Sequence, residues 1–182
     1  MGHEPAGEIV EVGAQVTRFS VGDRVFFHHH APCGTCHHCR RGNHSMCRTW
    51  RESKIHPGGA AQYVLVPRTN LEGDTLRLPD GMSWSDGTLV EPLACVVRAF
   101  HRAGLGAGDR VAVMGLGVMG QMMVRLARHL GAETILGSDL VPYRLAQGLE
   151  SGLDRAIDVT RESFPEAVRE ATGGEGADVV LV

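Results

Sequence analysis

The sequence predicts a β-rich unit followed by an α/β unit built on a parallel sheet. Three observations carry that expectation. Apolar residues alternate in period two through the first third of the chain, in Glu8-Ile9-Val10-Glu11-Val12, Arg24-Val25-Phe26-Phe27 and Tyr63-Val64-Leu65-Val66, with turn residues between the runs. Beyond Asp109 the pattern changes to strand, glycine turn, helix and strand. Between these regions lies a cysteine-rich insertion, CGTCHHCRRGNHSMC, that holds four of the five cysteines within residues 33–47.

The period-two runs are expected as short antiparallel strands, with residues 33–47 as a loop-rich lobe between them. Around residues 83–104 the texture becomes helical. Leu93, Val96, Val97, Phe100 and Ala103 recur at helical spacing, and Gly104 suits the position just past a helix end. Pro92 is expected at the first helical position, with Glu91 just outside the helix. Cys95 reads as a buried helix residue. The α/β part then runs as strand DRVAVMG, helix LGVMGQMMVRLARHLG, strand TILGSD, a helix over 142–152, strand 155–159, a helix near 162–172 and strand 177–182. The division is placed at 92, giving units 1–92 and 93–182. Strand-like sequence at both ends reads as a chain cut from something longer.

Composition narrows the classes of function. Apolar residues make up 43% and charged residues 21%, as in globular proteins with a core. A net charge of −3 argues against a nucleic-acid binder. No apolar run approaches the roughly 20 residues of a membrane span, and the N-terminus has no secretory pattern. The expectation is a cytoplasmic protein with reduced thiols and no nucleic-acid or membrane partner. Arg40, Arg41, Arg48, Arg51 and Lys54 around Trp50 read as a solvated face.

Three constellations carry chemistry. Cys33, Cys36, Cys39 and Cys47 suit a closed tetrahedral zinc site with no ligand position left for substrate. Iron–sulfur and redox readings compete, but bacterial ferredoxins bring the fourth cysteine sooner and follow it with proline. His37, His38 and His44 are surplus to four thiolates, and these and His28-His29-His30 are expected as exposed loop histidines. The second constellation pairs His3 and Glu4 with distant Glu91; alone it reads as structural. The third is Gly115-Leu116-Gly117-Val118-Met119-Gly120, which follows a strand and opens a helix, the context a dinucleotide-binding turn requires. Asp139 lies nineteen residues beyond Gly120, where a carboxylate accepts from an adenosine ribose and disfavours a 2′-phosphate. NAD is therefore expected over NADP, although Arg144 stands close enough to meet adenine or a phosphate. The alternative for Asp139 is a helix N-cap.

In this order, GHEPAGEIVEVG, VGDRV, the four cysteines, PGGAAQYVLVP, VEPLACV, GLGVMG and SDL resemble the zinc-dependent medium-chain alcohol and polyol dehydrogenases, and within them the sorbitol (iditol) and threonine dehydrogenase group. The resemblance implies a GroES-like β domain followed by a Rossmann domain, with a catalytic zinc in the cleft between them. It implies His3, Glu4 and Glu91 at that zinc and Cys33, Cys36, Cys39 and Cys47 at a structural zinc. Gly115, Gly117, Val118, Met119, Gly120, Asp139 and Arg144 fall at the cofactor. The reaction implied is hydride transfer between an alcohol or polyol CH–OH group and NAD, with zinc polarising the oxygen. Family members also carry an upstream cysteine ligand and a longer nucleotide sheet, are about twice this length and are commonly oligomeric. This stretch is therefore expected to be an incomplete part of such an enzyme, weak in catalytic zinc and inactive alone. A zinc-independent reductase of the same superfamily and a non-enzymatic zinc module are the competing expectations.

Overall fold

The computed structural model describes all residues 1–182 and separates into two compact units, Met1–Glu91 and Pro92–Val182. The first contains strands β1 (Ala6–Glu8), β2 (Arg24–Phe27) and β3 (Thr75–Arg77) in an antiparallel sheet of order β1-β2-β3. Its short helices are α1 (His37–Arg40), α2 (Arg48–Glu52), α3 (Arg68–Gly73) and α4 (Trp84–Thr88). The registers Ala6↔Phe26 and Phe27↔Thr75 bring the start of β1, the end of β2 and the start of β3 to one end of the sheet. Phe19, Val25, Phe27 and Ile55 form the core, and Ile9, Val16, Val64, Val66 and Leu71 pack on it.

Two strand expectations are corrected here. The run Glu8 to Val12 is paired only at its beginning, because β1 ends at Glu8. Tyr63 to Val66 is not a strand: a single antiparallel bridge joins Leu65 to His56, leaving Tyr63 and Leu65 exposed. Its alternation reflects Val64 and Val66 dipping into the core, which needs no ladder of backbone hydrogen bonds. The strand that does pair with β2, Thr75–Arg77, is too short to show a period.

Helix α5 (Val90–Ala103) starts two residues earlier than expected, so Glu91 lies within its first turn and Pro92 is its third residue. A proline is tolerated there because the first-turn amides have no intrahelical acceptor. Of the expected apolar stripe, Val96 and Phe100 are buried, whereas Leu93 and Val97 are exposed. Cys95, expected inside, is exposed as well.

The second unit is a four-stranded parallel sheet. Strand β4 (Arg110–Met114) leads to α6 (Val118–His129), β5 (Thr134–Asp139) to α7 (Pro142–Ser151), β6 (Arg155–Asp158) to α8 (Phe164–Ala171), and β7 (Val179–Leu181) completes it. The order β6-β5-β4-β7 places the first strand centrally and reverses direction beside it, as in one half of a doubly wound sheet. Val111, Ala112, Val113, Ile135 and Leu136 are essentially inaccessible, as expected of strands covered on both faces.

Gly120 fixes the approach of α6 to β4. A Cβ there would lie 2.0 Å from the Gly115 carbonyl oxygen, while Gly115 itself adopts φ +90°. Gly117 differs: nothing lies within 4 Å of an added Cβ, and its φ of −66° suits any residue. Gly120→Ala should therefore destabilise the chain by about 1–3 kcal/mol, and Gly117→Ala should stay within about 0.5 kcal/mol of the parent. Urea unfolding followed by circular dichroism checks both.

Candidate metal centres and dinucleotide cradle

The cysteine lobe folds around its sulfurs. Gly34 and Gly42, both at φ +72°, turn the chain before and after α1, so that Cys33, Cys36 and Cys39 converge on Cys47. The Sγ atoms stand 3.5 Å apart for Cys36 and Cys39, 3.6 Å for Cys33 and Cys47 and 3.9 Å for Cys33 and Cys39. Ligands at a tetrahedral Zn–S distance of about 2.3 Å would be about 3.8 Å apart, so these thiols fit a closed four-sulfur site. All are free of disulfides. Burial pushes the Cys39 thiol up to about 12, whereas hydrogen bonds from the Thr35 backbone and hydroxyl bring Cys33 down to about 5. To ionise together, four thiols this close would need a cation to share. His37, His38 and His44 are exposed and stand outside the four-sulfur group, as expected.

A second group collects at the common end of the three strands. His3 Nε2 lies 3.8 Å from Glu4 Oε1, and ligand atoms of His3, Glu4 and Glu91 all fall within 4.8 Å of one another. Tight backbone contacts hold the His3 segment in place. The Gly59 amide donates to the Gly2 carbonyl and the Ala60 amide to the Met1 carbonyl, at 3.0 Å each. A Cβ at Gly58 would meet the Met1 oxygen at 2.4 Å, and one at Gly2 the Ala60 nitrogen at 2.4 Å. The PGGA turn is thus the cradle of His3. Side chains of His3 and Glu4 are 60% and 46% exposed and that of Glu91 18%, so this donor set is more open to solvent than the lobe, where Cys39 and Cys47 are buried.

His28, His29 and His30 are not exposed loop residues, which corrects the expectation for them. All three are partly buried, and the His29 ring meets His3 edge-on at 5.6 Å between centroids. His28 Nδ1 lies 2.7 Å from the His30 carbonyl and 3.3 Å from Asp74 Oδ2; its Nε2 lies 3.9 Å from Glu91 Oε1. Burial lowers the His28 pKa, but the Asp74 hydrogen bond, the His30 carbonyl and the charges of Asp74 and Glu91 outweigh it and leave it raised. Burial and the three neighbouring histidines push His29 down to about 4. The lobe buttresses this segment: His30 packs on Trp50 at 4.5 Å, and its Nδ1 lies 2.6 Å from the Ser53 carbonyl. The sequence hides this cluster because Asp74 meets His28 only through the β2–β3 register. A run of three histidines directly after a strand was the available signal.

In the second unit, Gly117 caps α6 without a side-chain hydrogen bond, leaving the first-turn amides of Val118 and Met119 outside the intrahelical ladder beside open space. Asp139 ends β5 with 6% of its side chain exposed. Its Oδ2 accepts from the Leu116 amide at 2.8 Å and its Oδ1 from the Val141 amide at 2.9 Å. Burial raises its pKa, but these bonds, the Leu140 amide and Arg144 more than compensate, and it lies below the usual carboxylate range. The N-cap of α7 is Val141, so the N-cap alternative for Asp139 does not hold. Arg144 Nη1 stands 3.5 Å from Asp139 Oδ2, with half of its side chain exposed.

If the four sulfurs hold zinc, Cys39→Ser should abolish the tightly held equivalent, and His38→Ala should retain it. Elemental analysis after desalting provides the measurement.

Comparison with known proteins places both units. Residues 1–80 match the family model described as alcohol dehydrogenase GroES-like domain, and residues 118–182 match that described as zinc-binding dehydrogenase. L-threonine 3-dehydrogenase of Alteromonas mediterranea is 34% identical over 182 residues, covering 100% of this chain and 52% of the relative. Sorbitol dehydrogenase of Bacillus subtilis is 33% identical, covering 98% and 50%. A zinc-binding dehydrogenase of Sinorhizobium meliloti, solved bound to NADP, superposes with a TM-score of 0.80 at 34% identity, covering 91% of this chain and 48% of that one. The chain spans about half the length of the curated relatives it matches. With its GroES-like first unit and Rossmann-type second unit, the chain matches in order the two domains of zinc-binding alcohol dehydrogenases and is similar to such enzymes along its whole length.

Proposed function

We propose that the protein to which this chain belongs transfers a hydride between an alcohol or polyol CH–OH group and NAD, with zinc at His3, Glu4 and Glu91. One observation carries the reading: two carboxylates and an imidazole from opposite ends of the first unit, with Glu4 and Glu91 87 residues apart, present ligand atoms within 4.8 Å of one another. A reductase that works without metal has no use for that convergence. The donors fit the ion, since two carboxylates balance its charge and ligands about 2.0–2.1 Å from zinc lie roughly 3.4 Å apart, near the 3.8 Å between His3 and Glu4. Zinc bound there would act as a Lewis acid on the substrate oxygen. Glu4 and Glu91 would set the charge at the site, and the exposed face of His3 and Glu4 would admit a hydroxylated substrate. Relatives named for sorbitol and threonine support a small hydroxylated molecule as that substrate. The four cysteines would hold a second zinc with a structural role.

The amides of Val118 and Met119 would receive the pyrophosphate of the dinucleotide at the open face of Gly117. Asp139 supports NAD. Its carboxylate is ionised, held rigidly by backbone amides and unable to rotate away from a 2′-phosphate. Arg144 is already drawn to that carboxylate and neutralises only part of it.

Titration calorimetry with this chain should show NAD binding at least 10-fold tighter than NADP, a difference that shrinks in Asp139→Ala. Gly117→Ala should weaken NAD while leaving stability unchanged. Equal affinity for the two dinucleotides would remove the preference for NAD, and no binding of either would remove the cofactor assignment.

A further inference from the structure

One side-chain amide ties the glycine turn to the first turn of α7, and from that arrangement we infer that Gln121 is a positioning residue that holds Arg144 beside Asp139 and so sets the discrimination between NAD and NADP. This rests on the dinucleotide reading above and adds to it a residue outside the glycine turn and the Asp139–Arg144 pair.

Gln121 is the fourth residue of α6. Its Nε2 donates to the Leu116 carbonyl at 3.1 Å and to the Arg144 carbonyl at 3.0 Å. Two carbonyl acceptors fix which end of the amide faces them, because only the NH₂ group can donate to both. Leu116 is thereby held from both sides: its amide donates to Asp139 Oδ2 at 2.8 Å, and its carbonyl accepts from Gln121. A trans peptide carries its carbonyl and amide on opposite sides, so the same bond directs the Gly117 amide away from Gln121.

The circuit closes through Arg144, whose Nη1 stands 3.5 Å from Asp139 Oδ2, the oxygen that accepts from Leu116. Asp139, Leu116, Gln121 and Arg144 form a ring drawn from the end of β5, the β4–α6 turn, α6 and α7. The Arg144 backbone has two anchors: its amide donates to the Val141 carbonyl at 3.0 Å, and its carbonyl accepts from Gln121. Its guanidinium is held more loosely, with half of the side chain exposed. A cation so placed can turn to a 2′-phosphate, for which arginine offers paired donors. The position of its backbone keeps it beside Asp139, and Gln121 is the tie that fixes that backbone to α6.

Packing alone does not account for Gln121. Oε1 of the same amide is buried and meets no donor of the chain, a cost that methionine, of similar length, would avoid. A polar group kept against such a cost marks a position held for geometry rather than for stability.

The test uses the whole chain, with NAD and NADP titrated separately by calorimetry and thermal unfolding followed by circular dichroism as the check on folding. Gln121→Met and Gln121→Leu both remove the two donors and retain apolar bulk. Each should lower the ratio of NAD to NADP affinity by about threefold or more. In an Arg144→Ala background, Gln121→Met should leave the ratio unmoved, because the effect runs through Arg144. A merely structural role would weaken both dinucleotides by the same factor. An unchanged ratio in the two variants, or a shift that persists without Arg144, would overturn the inference while the NAD preference of the parent stands. Loss of the folded state in both variants would mark Gln121 as structural and overturn it as well. If the parent binds the two dinucleotides equally, or binds neither, the reading beneath falls and the inference falls with it.

Discussion

The antiparallel pairing of β2 with a strand on either side is the constraint on which the first unit's chemistry depends. Because β1 and β3 both run opposite to β2, their starts lie beside its end. His3 and Glu4 precede β1, the three histidines follow β2, and Asp74 precedes β3, so a sheet of only three short strands gathers them all. A slip of one residue in either register would turn these side chains to the other face. Arg77 and Asp23, paired at 3.0 Å, close the opposite end of the β2–β3 ladder. The tight packing of the PGGA turn on residues 1–5 adds a second restraint on His3 that the sheet alone does not supply.

The two candidate metal centres differ in how much of their geometry exists without an ion. In the lobe the sulfurs already stand near tetrahedral spacing, and two of the cysteines are buried. The strand-end group is looser and wetter, as would suit a centre with a ligand position open to exchange. The lobe is nonetheless part of that group's support, since Trp50 and Ser53 at the end of α2 hold His30. Ser53 also bridges to Ala31 in both directions, its hydroxyl accepting from the Ala31 amide at 2.8 Å and donating to its carbonyl at 3.2 Å. Loss of order in the lobe would therefore be felt two residues from His28.

The second unit was almost fully legible in the sequence, because strands covered on both faces are continuous apolar runs and the glycine turn announces its own geometry. The first unit was legible in its motifs rather than in its elements. Tyr63 to Val66 alternates like a strand yet has no ladder, and Thr75–Arg77 has a ladder yet no visible pattern. Short strands carry too few residues for period to decide. The pairing of His28 with Asp74 was invisible for a different reason: the two lie 46 residues apart, and only the β2–β3 register brings them together. Cys95 shows the converse error, a cysteine read as a buried helix residue that the helix turns outward.

The crowding of sulfurs in the lobe has a practical consequence. Without an ion, the loop keeps Cys36 and Cys39 within 3.5 Å and Cys33 and Cys47 within 3.6 Å, with the Cys33 thiol brought down to about 5 by the Thr35 hydrogen bonds. Thiolate beside thiol is the starting arrangement for air oxidation. If the four sulfurs hold zinc, chelation in air would thus replace the metal site with disulfides that added zinc does not reduce. Handling under reductant decides whether the material recovered is the native lobe or its oxidised counterpart.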